Sequence, residues 1–345
     1  MRVGVIAPPW IPVPPPAYGG TEFAIHQLVE GLCARDVEVV LVAHPQSVTS
    51  ALLRGIPLPM ADVDIGQCAH ELRWVMAAYE LLSDDVDVIH DHTLAGAALG
   101  RHLWEGPLAF TNHGPFDSVT EPIYASAAAG GATLVAISHA QARSTEVPTC
   151  VIPHGVDVRE FPFGRGPGEH LLFLGRMAPE KGAHLAIEVA RRNGRRLVIA
   201  AKAREAAERR YLDDVIRPLL GDDVVFVGEA ATAEKLELLA SASALVNPIT
   251  WPEPFGLVMT EAMACGTPVL AFAHGSAPEV IEHGVSGFLC ESLDDMCAQV
   301  DAVVRLDRAA CRRSVATRLG VDAMVDRHLA MYSEAVSRRS LSVRS

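Results

Sequence analysis

Short runs of β-branched and other apolar residues alternate along this chain with longer stretches in which apolar residues recur at helical spacing. VGVIA at 3–7 precedes a helical pattern over Thr21 to Arg35, and VEVVLVA at 37–43 precedes one over Glu71 to Leu82. DVDVIH at 85–90 leads into Leu94 to Trp104, and PLAFTNH at 107–113, ATLVAIS at 132–138 and CVIPHGV at 150–156 follow. Strand patterns separated by helix-length patterns predict parallel strands joined by crossover helices. Periodicity then stops in FPFGRGPGEH at 161–170, a Gly- and Pro-rich segment that reads as a linker. Beyond it the alternation restarts: LLFLG, a helix from Ala183, RLVIAA, a helix from about Arg204, VVFVG, a helix from Thr232, ALVNPI, a helix after Phe255, and PVLAFA. From about Leu293 the chain is helical in composition with no further strand.

The pattern therefore predicts an α/β protein of two Rossmann-like units. The expected boundaries are an N-terminal domain over 1–160, a C-terminal domain over 161–325, and a C-terminal helix over 326–345 that packs on the second unit or crosses back to the first. A length of 345 residues fits two domains, and 50% hydrophobic against 21% charged residues supplies a large core. The net charge of −13 disfavours nucleic acid and a polybasic membrane tether, so a phosphate site must be locally basic. MRVGVIAPPW is too short for a signal h-region, which gives a cytoplasmic expectation without stable membrane association. Seven scattered cysteines without a CxxC pair read as reduced, mostly core, thiols.

Three segments carry candidate chemistry. After the first strand, PPWIPVPPPAYGG places Gly19 and Gly20 directly before a helix, where glycine lets backbone amides approach a phosphate; the same pair is also an ordinary turn and cap. The second unit opens with GRMAPEKG, which carries Arg176 and Lys181 from the end of a strand toward a helix. Two cations at the carboxyl edge of a parallel sheet suit a diphosphate, against the alternative of a solvated basic turn. NPITWPEPFGLVMTEAMACGTPV holds Glu253 between two prolines, then Gly256, then a helix bearing Glu261. The amides of Gly256, Leu257 and Val258 can face an anion, while spacing alone leaves both glutamates as possible surface charges.

The pair Glu253 and Glu261, with seven residues between them in EPFGLVMTEAMACGTPV, preceded by GR and KG and by YGG near the N-terminus, resembles the family 4 retaining glycosyltransferases of the GT-B fold. The resemblance spans nearly the whole chain. It implies two Rossmann-like doubly wound domains facing across a cleft, and transfer of a sugar from a nucleoside diphosphate, UDP being the family's commonest, to a hydroxyl of a small-molecule or oligosaccharide acceptor. By the same resemblance Arg176 and Lys181 neutralise the diphosphate, Glu261 binds the ribose hydroxyls, and Glu253 contacts the transferred sugar. Gly19 and Gly20 cover the phosphates, the backbone from Phe255 to Val258 completes the cradle, and the loop around Gly228 faces the base. His113, at the end of a first-unit strand, corresponds to a histidine that hydrogen-bonds the donor sugar near the reacting carbon. The family needs no metal and no other cofactor. The narrower likeness is to transferases of antibiotic oligosaccharides of the avilamycin type, for which no motif stands.

Two other readings remain: a nucleotide-sugar epimerase of the same architecture, for which no acid/base set is found, and a sugar-nucleotide-binding protein without turnover. A metal reading of His90, Asp91 and His92, or of Asp85 and Asp87 as a DxD, is disfavoured because adjacent strand residues alternate faces. His154 is left without a role, and Ser138 with His139 lacks the third partner of a hydrolase. Acceptor loops are expected in 45–70 and 114–122. The first has no basic amphipathic helix, which favours a soluble acceptor.

Overall fold

A computed structural model describes residues 1–57, 65–164, 166 and 168–342. It divides into two compact units, one of Met1–Pro15, Gly19–Gly155 and Val321–Ser345, the other of Pro16–Tyr18 and Val156–Gly320.

The first unit contains β1 (Arg2–Ile6), α1 (Gly20–Cys33), β2 (Glu38–Ala43), β3 (Leu52–Gly55), α2 (Cys68–Leu82), β4 (Val88–Asp91), α3 (Leu94–Leu103), β5 (Leu108–Asn112), α4 (Glu121–Ala129), β6 (Thr133–Ala136), α5 (His139–Ala142) and β7 (Cys150–Val151). Among the described residues its strands form one parallel sheet in the order β3-β2-β1-β4-β5-β6-β7. The central strands bury residues of both parities, as a sheet covered on both faces requires. Val3, Val5 and Leu41 meet Ile25, Leu28 and Tyr332 on one face. Ile6, Val40, Val42 and Ile89 meet Trp74, Tyr79 and Phe110 on the other. Each such fully buried aliphatic side chain contributes about 1.5–3 kcal/mol.

The second unit contains β8 (Leu171–Arg176), α6 (Ala183–Arg192), β9 (Leu197–Lys202), α7 (Ala206–Tyr211), β10 (Val224–Gly228), α8 (Thr232–Ser241), β11 (Ala244–Asn247), α9 (Leu257–Ala264), β12 (Val269–Phe272), α10 (Ala277–Val280), β13 (Gly287–Cys290), α11 (Leu293–Val303) and α12 (Arg308–Arg318). Its parallel sheet runs β10-β9-β8-β11-β12-β13. The strand order turns back between β1 and β4 in the first sheet and between β8 and β11 in the second. In open α/β sheets ligands bind at the carboxyl ends of the strands flanking such a reversal.

Two boundaries differ from the sequence expectation. The units part between Gly155 and Val156 rather than after residue 160. Val156 is already bridged to Gly320, and half-buried arginines of α12 tie the following segment to the second unit. The Arg312 guanidinium donates to the carbonyls of Phe161 and Ala264 at 2.9 and 2.7 Å, and that of Arg308 to those of Gly164 and Ala242 at 2.7 and 2.8 Å. The supposed linker is thus fixed at its first half, while Arg165 and Pro167 lie outside the described residues. The last helix, α13 (Val321–Ser342), starts at 321 rather than 326 and belongs to the first unit, where Val325 comes so close to α1 that a Cβ on Gly31 would lie 2.5 Å from it. Strands β3 and β13, four residues each, and helix α4 were not anticipated.

Candidate active site

In the second unit the reversal lies between the ends of β8 and β11, and the sequence-predicted cations sit there. β8 ends at Arg176, in register beside Lys202 of β9. Arg176 Nη2 lies 3.4 Å from Glu180 Oε1, and its Nη1 3.6 Å from Glu208 Oε1. Lys202 Nζ shares Glu208, at 3.5 Å, and meets Glu205 at 3.1 Å. The buried Glu208 is itself fixed, its other oxygen accepting the amides of Arg204 and Glu205 at 2.9 and 3.2 Å. Lys181, at the end of a short turn before α6, places Nζ 2.5 Å from Glu253 Oε2 and 5.3 Å from the centroid of the Trp251 ring.

The glutamate loop is anchored from a neighbouring turn. The Glu253 carbonyl accepts the Ser276 amide at 3.0 Å, and Ser276 Oγ donates to the Phe255 carbonyl at 2.7 Å. Gly275, at φ 56°, approaches so closely that a Cβ there would lie 2.4 Å from the Glu253 carbonyl. Gly256, at φ 77°, turns the chain into α9, a left-handed conformation that a side chain would strain. The first amides of a helix have no acceptor within it, so Leu257 and Val258 present donors where the macrodipole favours an anion. Glu261 is buried one turn further along α9, its Oε1 2.7 Å from Lys235 Nζ on α8. Glu253 and Glu261 are thus held by separate lysines. Removing one member of a buried pair leaves a charge whose desolvation is uncompensated, at about 3–5 kcal/mol. Gly228 closes β10 at φ 84°.

The first unit offers neutral groups instead. Gly19 caps α1, its carbonyl accepting the Phe23 amide at 3.0 Å, and a Cβ on it would lie 2.6 Å from Pro15. Glu22, in the first turn of α1, is buried, and burial pushes its carboxyl up to about 7 against the opposing pull of its own backbone amide. At the ends of β4 and β5, histidines stack. The His90 and His92 ring centroids are 4.2 Å apart, His92 and His113 5.1 Å, and His113 and His154 5.1 Å with planes 18° from parallel. His90 Nε2 contacts Thr111 Oγ1 at 2.7 Å and its Nδ1 the Tyr332 hydroxyl of α13 at 2.6 Å. His92 Nδ1 lies 2.8 Å from His113 Nε2. Burial lowers the basicity of all of them; the neighbouring rings add to it for His90, His92, His113 and His154, while the Met324 carbonyl opposes it for His328, so that His113 falls to about 3 and His328 of α13 to about 4. His92, His113, His154 and His328 line a small cavity with Thr111, Met324 and apolar residues.

Gly19, Gly20 and His113 therefore belong to the first unit, and Arg176, Lys181, Gly228, Glu253, Phe255, Gly256, Leu257, Val258 and Glu261 to the second. Each set lies at the carboxyl edge of its own sheet. Sequence reading missed Lys202, Glu208 and Lys235, single charges on patterned elements, and missed the histidine stack. The one signal for the stack was the spacing of His328 and Tyr332 by four, which puts them on one helix face. Asp85 pairs with Arg2 and Arg54, and Asp87 accepts the Arg2 amide at 2.7 Å, so this DxD braces the entry to the sheet. Among the described residues no three His, Cys, Asp or Glu side chains converge as metal ligands. Ser138 Oγ caps α5 by accepting the Gln141 amide at 3.0 Å, and His154 joins the stack.

Residues 18–160 match the model for Glycosyltransferase Family 4, and residues 161–312 match the model for Glycosyl transferases group 1. The chain is a GT-B glycosyltransferase of family 4. The glycosyltransferase is 28% identical to a phosphatidyl-myo-inositol mannosyltransferase of Mycobacterium leprae, over 99% of this chain and 94% of that one. Among solved structures it is similar to AviGT4, a glycosyltransferase involved in avilamycin A biosynthesis, at 27% identity and a TM-score of 0.74, covering 98% of both chains. It also shares its fold with Anabaena HepE, crystallised with UDP-glucose, at 21% identity and a TM-score of 0.73 over 98% of this chain and 100% of that one. No described helix of the glycosyltransferase is long and apolar enough to cross a membrane.

Proposed function

We propose that this glycosyltransferase moves a sugar, with retention of configuration, from a nucleoside-diphosphate donor, UDP-linked, to a hydroxyl of a small-molecule or oligosaccharide acceptor. The observation that carries the reading is the pairing of Lys181 with Glu253 and of Lys235 with Glu261 around the start of α9. A diphosphate entering there competes with the carboxylates for the cations, and the freed carboxylates take the donor's hydroxyls. Glu261 then meets the ribose and Glu253 the sugar, while Arg176, Lys181 and the amides from Gly256 to Val258 hold the phosphates. These are fixed groups aimed at charge that grows in the transition state, the kind of term that dominates many enzymatic rate enhancements. They take the place of a metal ion.

The bond from the anomeric carbon to the phosphate oxygen breaks with its electron pair going to the phosphate. The acceptor oxygen bonds the same face of the sugar, and its proton passes to the departing phosphate. His113 orients the sugar during this exchange. A covalent glycosyl-enzyme route of the kind used by retaining hydrolases is not invoked.

The test is incubation with UDP-, GDP-, ADP- and dTDP-sugars, read by mass spectrometry for free nucleoside diphosphate and for glycoside or free sugar. The reading expects one base to be preferred and turnover to collapse in Glu253→Gln. Absence of nucleotide release from every donor overturns it, and an epimer formed from donor alone replaces it with the epimerase.

A further inference from the structure

The structure assigns His92 a part in the reaction that sequence and family leave open: we infer that it is a positioning residue, fixing the ring plane and the tautomer of His113 through the contact between His92 Nδ1 and His113 Nε2. The inference deepens the proposed function and rests on its reading of His113 as the group that orients the donor sugar.

At 2.8 Å the two nitrogens share one proton, so one ring donates and the other accepts. The outer nitrogens, His92 Nε2 and His113 Nδ1, are both enclosed and have no hydrogen-bond partner among the described residues. A neutral imidazole carries one N–H, so the choice made at the shared contact dictates which outer nitrogen donates and which accepts. His113 cannot change its outward hydrogen-bonding character without His92 changing too. His154 closes the other side, stacked on His113, so the ring can neither tilt nor turn freely.

His92 is itself well placed for this. It sits immediately after β4, one position past Asp91, and its amide is fixed by the Ile6 carbonyl at 3.0 Å, tying it to β1 across the strand reversal. His90, two residues back on the same face, is clamped by Thr111 and Tyr332 and lies 4.2 Å from the His92 ring. The chain of fixed rings thus runs from α13 through β4 to the candidate catalytic histidine. Second-layer hydrogen bonds of this kind select the tautomer of a working histidine wherever imidazoles act in polar sites.

The experiment uses the full chain with nitrogen-15 label in its histidines, and compares wild type with His92→Leu and His92→Asn. Asparagine is chosen because its amide nitrogen can occupy the place of Nδ1. Imidazole nitrogen spectra, assigned with His113→Gln, should give one neutral tautomer of His113 in wild type and in His92→Asn, and a mixture in His92→Leu. Turnover of UDP-glucose to UDP and glucose should fall about 10–100-fold in kcat in His92→Leu, with KM little changed, and recover to within about threefold in His92→Asn. An unchanged His113 spectrum in a folded His92→Leu overturns the inference. So does a shifted spectrum with wild-type turnover. If wild type itself releases no UDP, the assignment of the reaction fails, while the spectra still decide whether His92 controls His113.

Discussion

The two units of this glycosyltransferase share an architecture but hold polar chemistry at their sheet edges in opposite ways. In the second unit the side chains at the strand reversal are ions held in pairs: Lys181 with Glu253, Lys235 with Glu261, and Arg176 and Lys202 around Glu208. In the first unit the corresponding edge is built from imidazoles that burial keeps neutral, touching one another and a tyrosine hydroxyl. Under the proposed function, the difference matches what each edge would meet. A diphosphate needs compensating charge that can be released from a standing partner. The hydroxyls of a sugar need donors and acceptors in fixed places, and a full charge there would carry a large desolvation cost.

The largest effect that would break this contrast is on turnover. Lys181→Ala removes a cation that the account places on the leaving diphosphate, and kcat/KM for donor turnover is expected to fall about 10²–10³-fold, as for loss of a transition-state donor. Initial rates of nucleotide release measure it, and a change within twofold would assign Lys181 to structure alone.

The next effect separates the units by pH. Histidines whose folded basicity is depressed add stability that is present above their unfolded value near 6.5 and lost as pH falls toward the folded values, about 4 for His328 and about 3 for His113. Each contributes up to about 1.4 kcal/mol per pH unit across that window, so several kcal/mol should leave the first unit between pH 6.5 and 4. Hydrogen exchange at pH 7 and pH 4.5, after correction for the intrinsic rate, should show β4, β5 and α13 losing protection there. Equal loss in β8 to β13 would deny the first unit its special sensitivity.

A smaller effect sharpens the same point from the alkaline side. The Glu22 carboxyl is raised to about 7, so the folded state holds a proton that the unfolded chain releases from about 4.5 upward. Stability from this group is full below 4.5 and declines until pH passes 7. Glu22→Gln should therefore leave thermal stability at pH 5 nearly unchanged and raise it at pH 8 by up to about 3 kcal/mol. An unchanged melting temperature at pH 8 would mean that Glu22 ionises without cost.

These contrasts also explain how unevenly the molecule could be read from its sequence. Most strands and helices were legible because fully buried parallel strands are written as unbroken apolar runs, whereas β3 and β13 are edge strands of only four residues, too short to stand out as runs of their own. Glu253, Gly256 and Glu261 were legible because one loop and one helix carry them within nine residues. Their pairings were not: Lys181 was legible as a cation but not as the partner of Glu253, and Lys235 not at all, since each lysine meets its glutamate only in the folded chain. The histidine stack was the least legible part. Its rings come from β4, the ends of β5 and β7, and α13, as much as 238 residues apart, between His90 and His328. The contact division at Gly155 was hidden for the same reason, because Arg308 and Arg312 hold the Gly- and Pro-rich segment from more than 140 residues away.

The division of labour between charged and neutral edges is tested most directly by calorimetric titration of UDP and of UDP-glucose into wild type, Lys181→Ala and His113→Ala. The account predicts that Lys181→Ala weakens both ligands about tenfold or more, while His113→Ala weakens UDP-glucose and leaves UDP unchanged. UDP binding that survives Lys181→Ala intact, or that falls equally in His113→Ala, would contradict it.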